Sequence, residues 1–179
     1  MLRSLKSKDH MRRKAGEIYG VIVTQARQAD FYATLGVPDT PTGRYEMIVL
    51  HLFLVLERLR AQGETEEDGG LAQALLETFV TDMDDCMREM GVGDVSVGRR
   101  VRRAAAGFYE RGREYREALA SSHDGLLAER LAQHVLGREQ VDPQSTALAA
   151  YVRAAAVGAG DVSRPDAFPA LATFAEQVR

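Results

Sequence analysis

Acidic side chains near the middle of the chain have a spacing that a metal ion could use. Asp82 and Asp85 lie three positions apart and Glu89 follows four later, so a helix would place these carboxylates on one side. Carboxylates so arranged suit Mg²⁺, as in enzymes of allylic diphosphates. Such sites also need a second acidic helix opposite the first, and the sequence offers none. Asp84, the remaining member of this acidic cluster, is four residues from Arg88 and is expected to form an ordinary helix pair. We therefore predict a solvated or partner-facing acidic surface, with no metal.

Four arginines form a second charged group shortly after the acidic cluster. This arginine cluster consists of Arg99, Arg100, Arg102 and Arg103. Positive charge at the start of a helix opposes the helix dipole, which disfavours a purely structural role. No aromatic residue interleaves with the arginines, which argues against single-stranded nucleic acid as a ligand. We predict that this cluster, with Asp82, Asp85 and Glu89, contacts a partner protein or the ribosome.

His51 stands in a strongly apolar stretch, where a histidine could act as a base or a metal ligand. Either role needs a carboxylate, a cysteine or another histidine beside it. The positions three and four residues away carry none of these, and Glu57 is out of register. The sequence therefore predicts a neutral, hydrogen-bonded histidine in the core. His10 and His123 are expected at the surface, and His134 at a partly exposed edge.

The two clusters lie on either side of a glycine-rich corner and need helices to position them. Apolar residues at intervals of three and four predict a helix over about residues 71–90 and another over about 97–120, with Asp94 or Ser96 as its cap. The glycines of residues 91–98 lack both the preceding strand and the spacing of a dinucleotide-binding loop. The corner is therefore predicted to present charged surfaces and not to hold a nucleotide.

The spacing of apolar residues predicts that the other elements are also helices. They span about residues 9–28, 41–62, 125–136, 143–157 and 170–178, with one or two further turns over 29–35. The helix over 41–62 is apolar nearly all round and is expected to be the buried centre of the fold, with Leu50, Phe53 and Leu54 in the core. Residues 64–70 are expected to form a solvated acidic loop. The pattern predicts an all-α fold of six to eight helices around one buried central helix.

Length and composition are those of one globular domain. The chain has 179 residues, of which 45% are hydrophobic and 27% charged, and its net charge of −3 excludes an overall basic field for nucleic acid. Residues 1–14 form a basic segment, and residues 15–179 are expected to form the helical domain. Cys86 is the single cysteine and is expected to be a small buried hydrophobe. No uninterrupted apolar core follows the basic segment, so we expect no secretory signal, and no apolar run is long enough to cross a membrane.

Two segments, residues 19–59 and 76–115, carry motifs that are specific in combination. They contain the elements FY...GVPDT...GR, DMD...REMGVGD and FY.R...Y. The sequence thereby resembles the ubiquinol–cytochrome c chaperone family, the assembly factors for ubiquinol–cytochrome c reductase. The resemblance is strongest over residues 19–115.

This resemblance implies a helical chaperone that has no catalytic residues and no cofactor. Its client would be newly made cytochrome b or another reductase subunit, and mitochondrial relatives act with a small partner protein near the ribosomal tunnel exit. Because the sequence has no long transit peptide, we expect a bacterial, cytoplasmic member. The basic segment could hold it at the periphery of the inner membrane. DNA is not expected as a partner.

The residues themselves leave two other functions open. The protein could carry a hydrophobic small molecule such as a quinone or an isoprenoid. A closed cavity lined by the helices over 41–62 and 71–90 would favour the carrier, whereas an exposed apolar groove beside the charged corner would favour the chaperone. An enzyme that uses the acidic cluster would require a second carboxylate helix opposite the first.

Overall fold

Every regular element in the described part of the chain is helical. The computed structural model describes residues 2–62, 66–89, 91, 93–123, 125–158 and 161–178. For residues 2–7, 66–69, 94, 95 and 165 it describes the backbone only. The α-helices in these ranges are α1 (Leu2–Ala26), α2 (Ala29–Ala33), α3 (Pro41–Ala61), α4 (Glu66–Glu89), α5 (Asp94–Ala120), α6 (Leu126–Leu131), α7 (Pro143–Ala156) and α8 (Ala172–Ala175). A π-helical turn, Ala132–Leu136, extends α6, and 3₁₀ turns lie at Pro165–Ala167 and Glu176–Val178. The all-α prediction is confirmed.

Helix α3 is the buried centre of this arrangement and packs against α1, α4, α5 and α7. Leu50 and Leu54 are fully buried and Phe53 is 2% exposed, as the apolar pattern predicts. The helix starts where the sequence indicates, because the Thr40 side chain accepts a hydrogen bond from the Gly43 amide at 3.1 Å. Pro41 occupies the first turn, where its missing N–H is not needed.

Three helices extend beyond their predicted bounds. Helix α1 begins at Leu2, because its Lys, Arg and Leu residues are good helix formers. Helix α4 begins at Glu66, so the predicted loop over 64–70 is wrong for residues 66–70, where acidic residues suit a helix start. Residues 64 and 65 lie outside the described range. Helix α5 begins at Asp94, with Gly93 in the capping position and no side-chain cap, so the predicted Asp94 or Ser96 cap is wrong.

The C-terminal third of the chain completes the same core. The turn that extends α6 ends at Gly137, whose φ of 65° favours glycine. Helix α7 starts with a reciprocal capping box between Asp142 and Ser145. The buried Arg58 of α3 donates a hydrogen bond from Nη1 to the Ala167 carbonyl oxygen at 2.6 Å, which ties the last turns to the central helix.

A candidate partner-binding groove

The predicted corner brings α4 and α5 side by side. Gly91 has a φ of 76°, a conformation that favours glycine, and its amide donates to the Arg88 carbonyl oxygen at 2.9 Å. Phe79 of α4 and Phe108 of α5 then pack with ring centroids 5.8 Å apart. The reversal of the chain therefore places the two charged clusters on adjacent helices.

The acidic cluster divides into structural and exposed members. Asp82 is half-buried and accepts a hydrogen bond from the Tyr19 hydroxyl at 2.8 Å, which joins α4 to α1. Burial, followed by this hydrogen bond, raises the pKa of Tyr19. Asp84 pairs with Arg88 at 2.7 Å, as predicted. Of this cluster, only Asp85 and Glu89 are exposed. No ion pair joins either of them to another described residue.

The described residues contain no group of three or more His, Cys, Asp or Glu side chains placed to hold a metal ion. Cys86 lies on α4 between members of the acidic cluster and is half-buried rather than fully buried. Burial, followed by the charge of Asp82, raises the pKa of its thiol. Cys86 is therefore less deeply placed than the sequence predicts, and its thiol form is favoured.

The arginine cluster is exposed and carries charge that the fold does not compensate. None of its four side chains forms an ion pair or a hydrogen bond with another side chain in the described part of the molecule. Later arginines of the same helix behave differently. Arg111 pairs with Glu46 at 2.7 Å, and Arg116 pairs with Glu57 at 2.6 Å. Helix α5 therefore has an uncompensated basic part followed by a neutralised part.

The earlier start of α5 changes the reason for expecting a partner. With Asp94 as the first helical residue, the arginine cluster falls in the second and third turns. The influence of the helix dipole has largely ended there, so the dipole argument made from the sequence is weak. The absence of compensating partners among the described side chains now supports the interpretation that a partner binds near this part of α5.

An open groove lies between the start of α3, the end of α4 and the first half of α5. Its volume is about 470 Å³ and its walls are more apolar than polar. It is lined by Tyr45, Met87, Arg100, Arg103, Ala104, Ala106, Gly107, Glu110 and Arg111. The Tyr45 hydroxyl donates to the Ala104 carbonyl oxygen at 2.9 Å, which fixes α3 against α5. Small residues in the middle of the lining stretch of α5 leave the space open.

Charged residues that lie close together in the sequence do not all line the groove. Arg100 and Arg103 line it, whereas the other two arginines of the cluster do not. Met87 lines it from α4, and Asp85 and Glu89 are each two residues from Met87, or about 200° around the helix. The exposed carboxylates therefore lie on the opposite side of α4 from the groove. The predicted contact residues belong to at least two surfaces.

A largely buried ion pair lies at one end of the groove. Glu46 is 3% exposed and accepts from Arg111 Nε. Burial lowers the pKa of Arg111, but the hydrogen bond and charge of Glu46 outweigh it and raise the pKa overall. Burial and the Glu46 charge also raise the pKa of Tyr45 to about 12. The Arg111 charge is thus compensated, and Arg100 and Arg103 supply the positive charge of the groove.

The sequence could have indicated some of these lining residues but not all. Positions 100, 103, 104, 107, 110 and 111 repeat at helical spacing and form one stripe of α5. Ala104 and Gly107 are the small residues of that stripe, and their size could have indicated a depression in the helix surface. Tyr45 and Met87 join the groove only because α3 and α4 pack against α5, so no pattern within α5 identifies them.

The histidines occupy the environments that the sequence predicts. His51 is fully buried, donates from Nδ1 to the Met47 carbonyl oxygen at 2.8 Å and accepts from the Tyr151 hydroxyl at Nε2, also at 2.8 Å. Burial lowers the pKa of His51 to about 4, so the ring is neutral. His134 is half-buried against Glu114, with 2.5 Å between the paired atoms.

A second concavity, of about 690 Å³, lies beside α2. It is lined by Arg27, Ala29, Tyr32, Ala33, Asp39 and Arg44. An exposed ion pair of 2.7 Å between Asp39 and Arg44 already compensates the charges on one wall. Its lining is more polar than that of the groove, so it offers less to an apolar client.

Among the described residues, no helix combines the length and the hydrophobicity that a membrane span requires. The buried stretch of α3 is explained by its contacts with four other helices.

Comparisons with known proteins agree on one family. A model described as "Ubiquinol-cytochrome C chaperone" matches residues 33–174. A solved structure, the crystal structure of the Cbp3 homolog from Brucella abortus, shares 38% identity with this chain. That match has a TM-score of 0.72 and covers 86% of this chain and 82% of the other. No curated protein matches this chain.

Proposed function

Because the chain belongs to the ubiquinol–cytochrome c chaperone family, we propose that it binds newly made cytochrome b until that subunit enters the reductase. The family establishes the broader role: the protein is a non-enzymatic chaperone and assembly factor for ubiquinol–cytochrome c reductase. The choice of cytochrome b as client is the specific part of the proposal.

The observation that supports client binding is the open groove beside the uncompensated arginines. An exposed, largely apolar groove suits the surface of an unassembled membrane protein, whereas a carrier would enclose its ligand. Arg100 and Arg103 at its edge can pair with acidic groups next to the apolar segment of the client. The groove is therefore the proposed client surface.

Exposed charges on α4 and α1 are proposed to serve other contacts. Asp85 and Glu89 lie on the far side of α4 and could meet a small partner protein or the ribosome while the groove holds the client. Lys8, Arg12 and Arg13 are exposed on α1 and could touch an anionic membrane surface, where each basic residue contributes about 1 kcal/mol. This arrangement would keep the protein beside the membrane into which its client inserts.

Gene deletion tests the function in a host that has no second copy. We expect less assembled reductase and less cytochrome b haem absorbance, with other respiratory complexes and the cytochrome b messenger RNA unchanged. Wild-type protein should restore the complex. The double variant R100E/R103E should not, whereas R99E/R102E, which has the same charge change outside the groove, should restore it. Normal reductase content in the deletion strain would reject the proposed function and favour the small-molecule carrier.

A further inference from the structure

We infer that the groove receives an amphipathic helix of a partner protein, which presents two carboxylates to Arg100 and Arg103 and a cationic side chain to Glu110. This inference rests on the proposed partner-binding role of the groove and adds the chemistry and secondary structure of its occupant.

The shape of the groove suits a helix. Its α5 wall runs from Arg100 to Arg111, which is about 16 Å of helix axis, or three turns. Ala104 and Gly107 lie in the middle of this wall, so a second helix can approach closely. A Cβ atom at Gly107 would lie 3.4 Å from the Tyr45 hydroxyl, so even this small addition would narrow the floor. A helix laid in an apolar groove is a recurring mode of peptide recognition.

The charges of the groove specify the polar side of that helix. Arg100 and Arg103 are one turn apart and have no other described side chain to bind, so carboxylates spaced by three or four residues would match them. Glu110 is exposed and lies seven residues after Arg103, about 10 Å along the axis. A lysine or arginine two turns from the carboxylates would meet it. Arg111 adds no free charge because Glu46 neutralises it.

An anionic lipid is a poorer occupant. Its headgroup would satisfy Arg100 and Arg103 but would offer nothing to Glu110 at the other end of the stripe. A helix carrying both charge signs satisfies both ends. The observations therefore favour a protein segment over a lipid.

Photo-crosslinking from inside the groove tests this inference in cells that make the full-length protein. A benzoylphenylalanine residue replaces Ala106, which lines the groove, and a control places it at the exposed Arg113, outside the lining. We expect the Ala106 probe to capture a protein segment, mapped by mass spectrometry, with two carboxylates within four residues and a cationic residue about two turns away. The Arg113 probe should not capture this segment.

Matched charge reversals then test the pairing. R100E/R103E should reduce the yield of this crosslink about tenfold, because two charged hydrogen bonds are replaced by repulsion. R99E/R102E changes the net charge equally, at the same spacing on the same helix, but at positions outside the lining, and should lower the yield clearly less than R100E/R103E does. If R100E/R103E fails to fold, R100Q/R103Q replaces it. Equal losses in the two reversals would overturn the inference.

The nature of the captured molecule separates this inference from the proposed function. A lipid adduct, a segment without carboxylates, or no crosslink specific to Ala106 would overturn the inference. Capture of an uncharged apolar segment of cytochrome b would overturn it while supporting the client proposal. Capture of an acidic helix, combined with normal reductase content in the deletion strain, would support it while rejecting the client proposal.

Discussion

At the scale of a residue, the burial of His51 makes the stability of the fold depend on pH. Its unfolded pKa is close to the ordinary value of 6.5, and burial lowers the folded pKa to about 4. Between these values the unfolded chain holds more protons than the folded protein, so stability falls as the pH drops from 6.5 to about 4. The full effect is about 3 kcal/mol, and well above pH 6.5 His51 adds no pH dependence.

Urea unfolding at pH 6.5 and pH 4.5 measures this effect. The loss of stability between these pH values should be smaller in His51→Gln, which cannot take up the proton, than in the wild type. His10→Gln removes an exposed histidine and should leave the loss unchanged. An equal loss in the wild type and in His51→Gln would show that the unfolded chain gains no extra proton at this position.

Leu54 tests the packing of the central helix. Its side chain is fully buried, and truncation to alanine leaves a cavity in a core with little room to collapse. We expect Leu54→Ala to lower the free energy of unfolding by about 2–5 kcal/mol. Val157→Ala, at a position that is 82% exposed, should change it by less than about 0.5 kcal/mol. A similarly small change for Leu54→Ala in urea unfolding would mean that this residue is not part of the stabilising core.

At the scale of an element, we expect the first part of α5 to serve binding and its later part to stabilise the fold. Its first arginines crowd one another without ion-pair partners among the described residues, and like charges one turn apart are unfavourable. We expect R100E/R103E to leave helicity unchanged and to change stability by less than about 0.5 kcal/mol, in the stabilising direction. R99E/R102E should behave in the same way. Thermal unfolding followed by circular dichroism measures both.

The later part of α5 should respond in the opposite way. Arg111→Gln removes the partner of Glu46, which is 3% exposed and would keep a buried, poorly compensated charge. We expect a loss of about 1.5–3 kcal/mol in the same unfolding experiment. If R100E/R103E destabilised the protein as much as Arg111→Gln, the exposed arginines would be part of the scaffold and not a free binding surface.

At the scale of the whole molecule, one hydrophobic cluster joins residues from α1 to the last turns. It includes Ile18, Leu50, Leu75, Tyr115, Leu131, Tyr151 and Phe168. Because these helices share their buried surface, we expect one cooperative unfolding transition. The midpoints from far-UV circular dichroism and tyrosine fluorescence should coincide, since the six tyrosines are spread along the chain and no tryptophan is present. Two separated transitions would show that the C-terminal third folds independently.

The sequence by itself determined the features that depend on neighbouring residues. Helical periodicity predicted an all-α fold, and the apolar stretch from Tyr45 to Leu56 predicted its buried centre. The absence of polar groups one turn from His51 predicted a neutral core histidine. Each of these properties follows from side chains within about one or two turns, because backbone hydrogen bonding and the direction of a helix face are local. The family motifs, which are also read from short segments, indicated the chaperone role.

Only the tertiary structure decided which charged residues remain available to a partner. Asp82 has the same side chain as Asp85, but packing against α1 gives it the Tyr19 hydroxyl, 63 positions away. Arg100 and Arg103 line a groove with Tyr45, whereas the other arginines of their cluster do not. Such pairings depend on how distant helices pack, since each is set by the volumes and crossing of several helices at once. No spacing along one helix contains that information.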